Sequence, residues 1–296
     1  MDEKIIDIAD KQVALSARLD QLRLKSDDGE VSVPLEEVTA VVVSHPAVHY
    51  THATLSGLCA AGAPLIVCNE KRLPVGMLVP LVGHYVQAER LAAQAESTLP
   101  ARKFAWKQVV RSKILSQARL LMDLGAGNAG LVALARGVRS GDPDNLEAQA
   151  ARRYWPLVFG AAFARVPGAD DPINRLLNYG YAILRAIVAR GLCGAGLHPS
   201  LGIHHHNRYN PYCLADDLME PFRPLVDRQV RGILDRCGPE PPLDRSTKET
   251  LIGALLNGRV VIGGEERSLF DATTRMSASL AGVLSGQTRR LLVPSW

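Results

Sequence analysis

Three short segments of this chain gather side chains able to act on a phosphate ester. In LEAQAARRYW, residues 146–155, a helix would put Glu147, Ala151 and Tyr154 on one face, and Ala148, Ala150 and Ala151 are small enough to admit a neighbouring element. Taken alone, those residues read equally as a surface glutamate on an alanine-rich helix. In GLHPSLGIHHHNRYN, residues 196–210, three consecutive histidines cannot all face one way, so one or two at most serve a single centre. A neutral imidazole is a common ligand for divalent metals, and just as often a structural hydrogen-bonder. In LADDLMEPFRPLVD, residues 214–227, Asp217 and Glu220 stand three apart and share one side of a helix. Pro221 falls inside that helical pattern, where its ring would clash with the carbonyl of Asp217 at a cost of ~3 kcal/mol. Either a kink aims the two carboxylates into a cleft, or the helix restarts after Pro221.

Glutamate, aspartate and histidine from separate elements are the donor set of a Mg²⁺ or Mn²⁺ site, with hard oxygens, one nitrogen and positions left open for water and phosphate. A looser group, His45, His49 and His52, is assigned to a junction loop. The chain has no G-x-x-x-x-G-K-[ST] loop, no G-x-S-x-G elbow, no G-x-G-x-x-G after a strand and no H-E-x-x-H. Nucleotide hydrolysis and dinucleotide redox are thereby disfavoured.

The elements that must position these residues divide into two kinds. Up to about residue 45 the apolar pattern has period two: Val13, Leu15 and Ala17; Leu22 and Leu24; a turn at SDDGE; Val31 and Val33; then Val38 to Val43. Thr51 caps a short helix ended by Gly62, and PLIVCN reads as a further buried strand. The Pro and Gly of RLPVGMLVP are expected to break regularity after it. From about residue 84 the period becomes 3.6, with helices over 84–98, 101–124 and 173–190 and a two-strand excursion at GRVVIGGEERSLFD. The expected fold class is α+β, with a β-rich N-terminal domain over residues 1–85 and a larger all-α domain over residues 86–296.

Composition fits a globular chain, 47% hydrophobic and 22% charged. Five scattered cysteines with no C-x-x-C pair suggest neither a disulfide framework nor a zinc ribbon. The start shows no export signal and no stretch is apolar enough to span a bilayer, so a cytoplasmic location without membrane association is expected. The charge is segregated. Residues 1–100 carry 13 acidic against 8 basic side chains, whereas residues 101–165 carry 11 basic against 4 acidic. Such a block suits a surface touching the phosphate backbone, although a solvated helical face would look similar. Within it Lys103, Lys107 and Arg111 follow at i, i+4 and i+8 and would line one helical face as DNA contacts.

Four motifs in order, NLEAQAARRYW, DPINRLLNYGYAILRA, GLHPSLGIHH and LADDLMEPFRPLVD, resemble the universal CRISPR adaptation integrase, the family numbered first among the Cas proteins. The likeness extends more weakly to PLIVCNEKRLPVGMLVP, and the style of LADDLMEPFRP is similar to the form found beside Cas9-type effectors. The resemblance implies that Glu147, His205 and Glu220 hold Mg²⁺ or Mn²⁺ and are catalytic. Asp217 occupies the place of an aspartate present in other subtypes. Asn174 and Asn178, four apart on one polar helical face, are candidate auxiliary residues of the same cleft.

It further implies a homodimer through the β-rich domain and a heterohexamer with the small second adaptation protein on double-stranded prespacer DNA. The effector nuclease of the system is a further candidate partner. The reaction would be attack of each 3′ hydroxyl on a phosphodiester of the CRISPR repeat. The alternatives are a stand-alone metal-dependent nuclease on branched or double-stranded DNA, which shares every ligand, and a non-catalytic DNA-binding subunit, which would need none of them.

Overall fold

The computed structural model describes residues 4–70 and 74–295. The N-terminal part contains β1 (Lys4–Ile8), β2 (Ala14–Arg18), β3 (Gln21–Ser26), β4 (Gly29–Pro34), β5 (Val38–Val43), β6 (His49–Tyr50), α1 (His52–Ala60), β7 (Leu65–Cys68) and β8 (Pro74–Leu78). They form two sheets, ordered β1-β5-β7-β8 and β4-β3-β2-β6. The period-two segments become β2, β3 and β4, with Leu15 and Leu22 turned inward and fully buried. Leu19 and Asp20 join β2 to β3 with φ of 52° and 56°, the positive values that two-residue hairpins favour. Thr51 caps α1 by accepting from Thr54 N.

In the first sheet β1, β5 and β7 run parallel and β8 antiparallel. β5 is buried along its whole length because both faces of its sheet are covered, and its sequence VTAVVV is accordingly apolar but for the buried Thr39. Val41 and Val43 pack with Leu15, Leu22 and Leu58 on one side. Val42 and Ile66 belong on the other side to the core of the helical part.

Three strands differ from expectation, and the first is β6, which places His49 on a strand beside β2 in the segment expected to be a junction loop. β1 was not anticipated, since a parallel partner more than thirty residues away leaves no local trace. The break expected in RLPVGMLVP is instead strand β8, whose proline stands first on an edge strand, a position where a strand tolerates it. Arg72 and Leu73 of that motif lie outside the described residues.

The helical part runs α2 (Gln87–Ala95), α3 (Leu99–Asp123), α4 (Leu131–Gly137), α5 (Leu146–Phe159), α6 (Pro172–Gly194), α7 (Cys213–Met219), α8 (Arg223–Cys237) and α9 (Arg245–Leu256), then the hairpin β9 (Arg259–Ile262) and β10 (Glu265–Ser268), α10 (Leu269–Leu284) and β11 (Pro294–Ser295). The two-strand excursion is therefore present and gains β11 as a third strand. The α+β architecture is the one expected from the sequence.

α6 is the buried axis, capped by Asp171 with Pro172 at its first turn. Two of its glycines allow close approach. A Cβ at Gly180 would sit 2.5 Å from Val226 of α8, and one at Gly191 would sit 3.2 Å from Ser277 of α10. The β-rich part is bolted to this bundle by Lys248 of α9. Its ammonium lies 3.3 Å from Asp7 on β1 and 3.4 Å from Ser44 Oγ.

Candidate active site

Glu147 is presented by an unusual helix start. Asp142 and Asn145 both adopt left-handed φ, 49° and 50°. Asp142 then accepts from Leu146 N and Glu147 N at 3.0 Å each, and Asn145 accepts from Ala148 N. The first-turn amides of α5 are thereby satisfied, and Glu147 sits at the positive end of the helix, where a carboxylate is favoured.

Glu220 arrives from the other side. α7 ends at Met219, a 3₁₀ turn covers Glu220–Phe222 with Pro221 near its start, and α8 begins at Arg223. The helix therefore restarts at the proline, as the simpler of the two readings held, yet Asp217 and Glu220 are both buried.

A lysine joins the two glutamates. Lys113 Nζ of α3 lies 2.6 Å from Glu147 Oε1 and 2.5 Å from Glu220 Oε2, the first an aligned hydrogen bond and the second an ion-pair contact. The Lys113 side chain is 13% exposed and that of Glu220 is 5%. Arg223 Nη2 takes the other Glu220 oxygen at 3.0 Å. Burial pushes the Glu220 carboxyl up, but Arg223 and Lys113 outweigh it and hold its pKa below the usual range. Burial likewise lowers Lys113, and Glu220 and Glu147 more than reverse this.

The three histidines have three different environments. Asp217 Oδ2 accepts from the amides of Ile203 (2.7 Å) and His204 (3.0 Å), and Oδ1 accepts from that of His205 (3.2 Å). The His205 ring pairs through Nδ1 with Asp217 Oδ1 at 2.5 Å, which raises its pKa and turns Nε2 away from Asp217. His204 lies flat on buried Trp106, ring centroids 4.1 Å apart and 2° from parallel, and burial lowers its pKa. The His206 side chain is exposed. Gly202 makes the loop possible, since a Cβ there would meet His205 O at 2.3 Å and Asp217 Oδ2 at 2.9 Å.

Behind this layer, the Tyr154 hydroxyl of α5 donates to Asp227 Oδ2 of α8 at 2.6 Å, and the Tyr181 hydroxyl of α6 donates to Oδ1. Burial pushes the Asp227 carboxyl up to about 6, against the two hydroxyls and the nearby arginines. Arg223 and Arg165 both lie over the Tyr181 ring. A cavity of about 500 Å³ opens beside them, lined by His205, Asn178 and three arginines, Arg165, Arg185 and Arg223.

Glu147 and Glu220 therefore meet at one shared cation, with His205 within electrostatic reach of both. Asp217 holds the histidine loop. Asn174 and Asn178 hold Arg165, at 2.7 and 2.8 Å, and the loop that carries it. Asn178 lines the same cavity as His205, whereas Asn174 is buried beneath the loop. Lys103 and Arg111 are exposed and Lys107 half-buried along α3, with Trp106 and Val110 turned inward. Among the described residues, no three His, Cys, Asp or Glu side chains stand together as a ready metal cage. The glutamates close on Lys113 and the imidazole on Asp217.

The donor chemistry nevertheless suits Mg²⁺ or Mn²⁺, because two carboxylates from separate elements already converge on one positive charge, with the His205 imidazole in electrostatic reach of both. Sequence reasoning missed Lys113, Arg223 and Asp227. A signal existed for the first: Trp106, Val109, Lys113, Gln117 and Leu120 follow the spacing of one buried helical stripe, and a lysine at core phase requires a counter-charge.

Comparison with known proteins defines the class. The family model described as CRISPR associated protein Cas1 matches residues 7–238. A CRISPR-associated endonuclease Cas1 of Neisseria meningitidis serogroup C (strain 8013) is 36% identical over 283 residues, covering 95% of this chain and 92% of its own length. Among solved structures, a casposase bound to integration product aligns with a TM-score of 0.80 at 18% identity, over 97% of this chain and 92% of the other. A Cas6-RT-Cas1–Cas2 complex aligns with a TM-score of 0.76 at 20% identity, over 97% of this chain and 35% of that longer one. The chain belongs to the Cas1 family.

Proposed function

We propose that this chain is a metal-dependent DNA integrase and endonuclease of CRISPR adaptation, which joins the 3′-hydroxyl ends of prespacer DNA to the CRISPR repeat by transesterification. The observation that carries the reading is the convergence of Glu147 and Glu220, far apart in the chain, on one buried cation beside His205. Membership of a family whose relatives are named as endonucleases supports it, as does a fold shared with a casposase bound to integration product.

In this reading Glu147, Glu220 and His205, through Nε2, hold Mg²⁺ or Mn²⁺. When bound, the ion neutralises charge on the phosphoryl group and activates the attacking oxygen. Asp217 fixes the His205 ring through Nδ1, so that its other nitrogen is presented to the ion. Arg223, Arg165 and Arg185 line the adjoining cavity and are placed to neutralise phosphates. The remaining task is alignment of the 3′ hydroxyl with the scissile phosphodiester.

Lys103, Lys107 and Arg111 extend a basic face along α3 as a DNA contact. The acidic β-rich region, residues 1–85, is proposed to pair two copies, with light scattering as the check: a monomer at micromolar concentration contradicts it. The small second adaptation protein is the expected partner in a heterohexamer, in keeping with a fold shared with a chain of a Cas6-RT-Cas1–Cas2 complex. Among the described residues no helix is long and apolar enough to cross a membrane, and a cytoplasmic site of action fits.

The function is tested by incubating end-labelled DNA with a repeat-containing plasmid and Mn²⁺. Label joined to plasmid is the expected product. Cutting without joining identifies a nuclease, and binding without either identifies a DNA-binding subunit.

A further inference from the structure

The contact between Lys113 and the two glutamates bears on how the site is loaded, an inference that rests on the metal-centre reading above. Lys113 projects from a core stripe of α3, so the ammonium is delivered to its place by the packing of the helix and not by the chance sweep of a surface side chain. Among the described residues it is the one cation that touches both carboxylates: Arg223 reaches only Glu220, on the opposite oxygen. Glu220 is buried and Glu147 half-buried, and without Lys113 the two carboxylates would repel each other in a partly desolvated site, where an unpaired charge is destabilising.

A lysine suits this position better than an arginine. Its ammonium is a compact point charge with three freely rotating donors, closer to a metal ion in size and reach than a planar guanidinium. The same oxygens that hold it are those a divalent ion would need. A dication and an ammonium cannot both occupy the point between Glu147 and Glu220, since they would stand within a few ångströms as like charges.

We propose that Lys113 is a resident counter-cation of the Glu147–Glu220 pair, which keeps the centre assembled without metal and must be displaced when a divalent ion binds. Lys113 then sets the affinity of the site. A monovalent ion brings no more charge than the ammonium it would replace, so only a divalent ion gains by the exchange. It is a positioning residue in the metal-free protein and a competitor during loading.

The test uses the full chain and two neutral variants, Lys113→Met, which keeps the length of the stem, and Lys113→Gln, which keeps a donor. Calorimetric titration with MnCl₂ and thermal melting without metal are measured for each, with circular dichroism to show that the fold is retained. Removal of the competitor should tighten Mn²⁺ binding about tenfold or more, the size of an ordinary coupling between two ligands. Without metal the variants should melt lower, and Mn²⁺ should raise their midpoints further than that of the wild type. Adding Glu147→Gln to Lys113→Met should return the metal-free midpoint toward wild type, because the unpaired charge leaves with the lost cation. Equal or weaker Mn²⁺ binding by both variants would overturn the proposal while leaving the metal centre standing. No Mn²⁺ binding by any of these proteins, wild type included, would overturn the metal-centre reading itself.

Discussion

Asp217 accepts three backbone amides and the His205 ring with a carboxylate that has no exposure to solvent. Replacement by asparagine turns one acceptor into a donor facing amides, and leaves buried N–H groups unpaired. Asp217→Asn should therefore destabilise the protein by roughly 2–4 kcal/mol, read from urea unfolding. A loss under about 0.5 kcal/mol, the range of an ordinary surface substitution, would mean the loop does not depend on this side chain. At this scale Glu147, His205 and Glu220 are candidates only through the resemblance of their motifs to a known family, since as residue types they read equally as a surface glutamate, a structural histidine and a helix restart; what the structure adds is that Glu147 and Glu220 share Lys113. Lys113 was not legible, because in a basic segment one more lysine reads as part of a solvated face. Only its helical phase, shared with Trp106 and Leu120, marks it as buried. The distinct surroundings of His204, His205 and His206 come from α3 and α7, which pack on the loop, and no local pattern contains them.

α5, α6 and α8 meet where Tyr154 and Tyr181 donate to Asp227. With a pKa of about 6 against an ordinary 3.8, native Asp227 keeps a proton that the unfolded chain releases. The native state thus binds more protons between those values, and this group makes stability fall as pH rises from about 4 to 6, by up to roughly 3 kcal/mol. Asp227→Asn should remove that slope. Urea midpoints at pH 4, 5, 6 and 7 read it, and wild-type and variant curves that run parallel would refute it. On α3, replacing Lys103, Lys107 and Arg111 by alanine should flatten the salt dependence of DNA binding by about three units or slightly less, as each lost phosphate contact removes about one. An unchanged slope would make the stripe a solvated face. Helices and hairpins were legible wherever local signals carry them: the Thr51 cap, the Gly62 end, and the turn of Gly263 and Gly264, both with positive φ. β1 and β8 were not, since a parallel strand and an edge strand are stabilised by partners that sequence proximity does not reveal.

The whole molecule is organised around one sheet with two covered faces. The pattern change near residue 84 coincides with the passage from β8, which ends at Leu78, to the run of helices that starts at Gln87, although α1 precedes it and β9, β10 and β11 follow it. Yet β5 belongs to both sides, with Val41 in the core of the strands and Val42 in that of the helices, and the buried Lys248–Asp7 pair crosses the same junction. Period-two and period-3.6 patterns report which face is apolar, and are silent on which neighbour covers it. The consequence is a β-rich platform that shares its core with the helices carrying Glu147 and Glu220, so that pairing two copies through the platform would fix the distance between two active centres.

The central claim, that this centre performs strand joining, is tested most directly by measuring joining of labelled DNA ends to a repeat-containing plasmid in Mn²⁺ for Glu147→Ala, His205→Ala and Glu220→Ala. Each should lose about a thousandfold or more, with double variants no worse than singles, because residues that act as one unit fail together. DNA affinity should remain within about twofold, since phosphate contacts elsewhere supply most of it. His204→Ala and His206→Ala should keep their activity. Joining at the wild-type rate by both Glu147→Ala and Glu220→Ala would contradict the account.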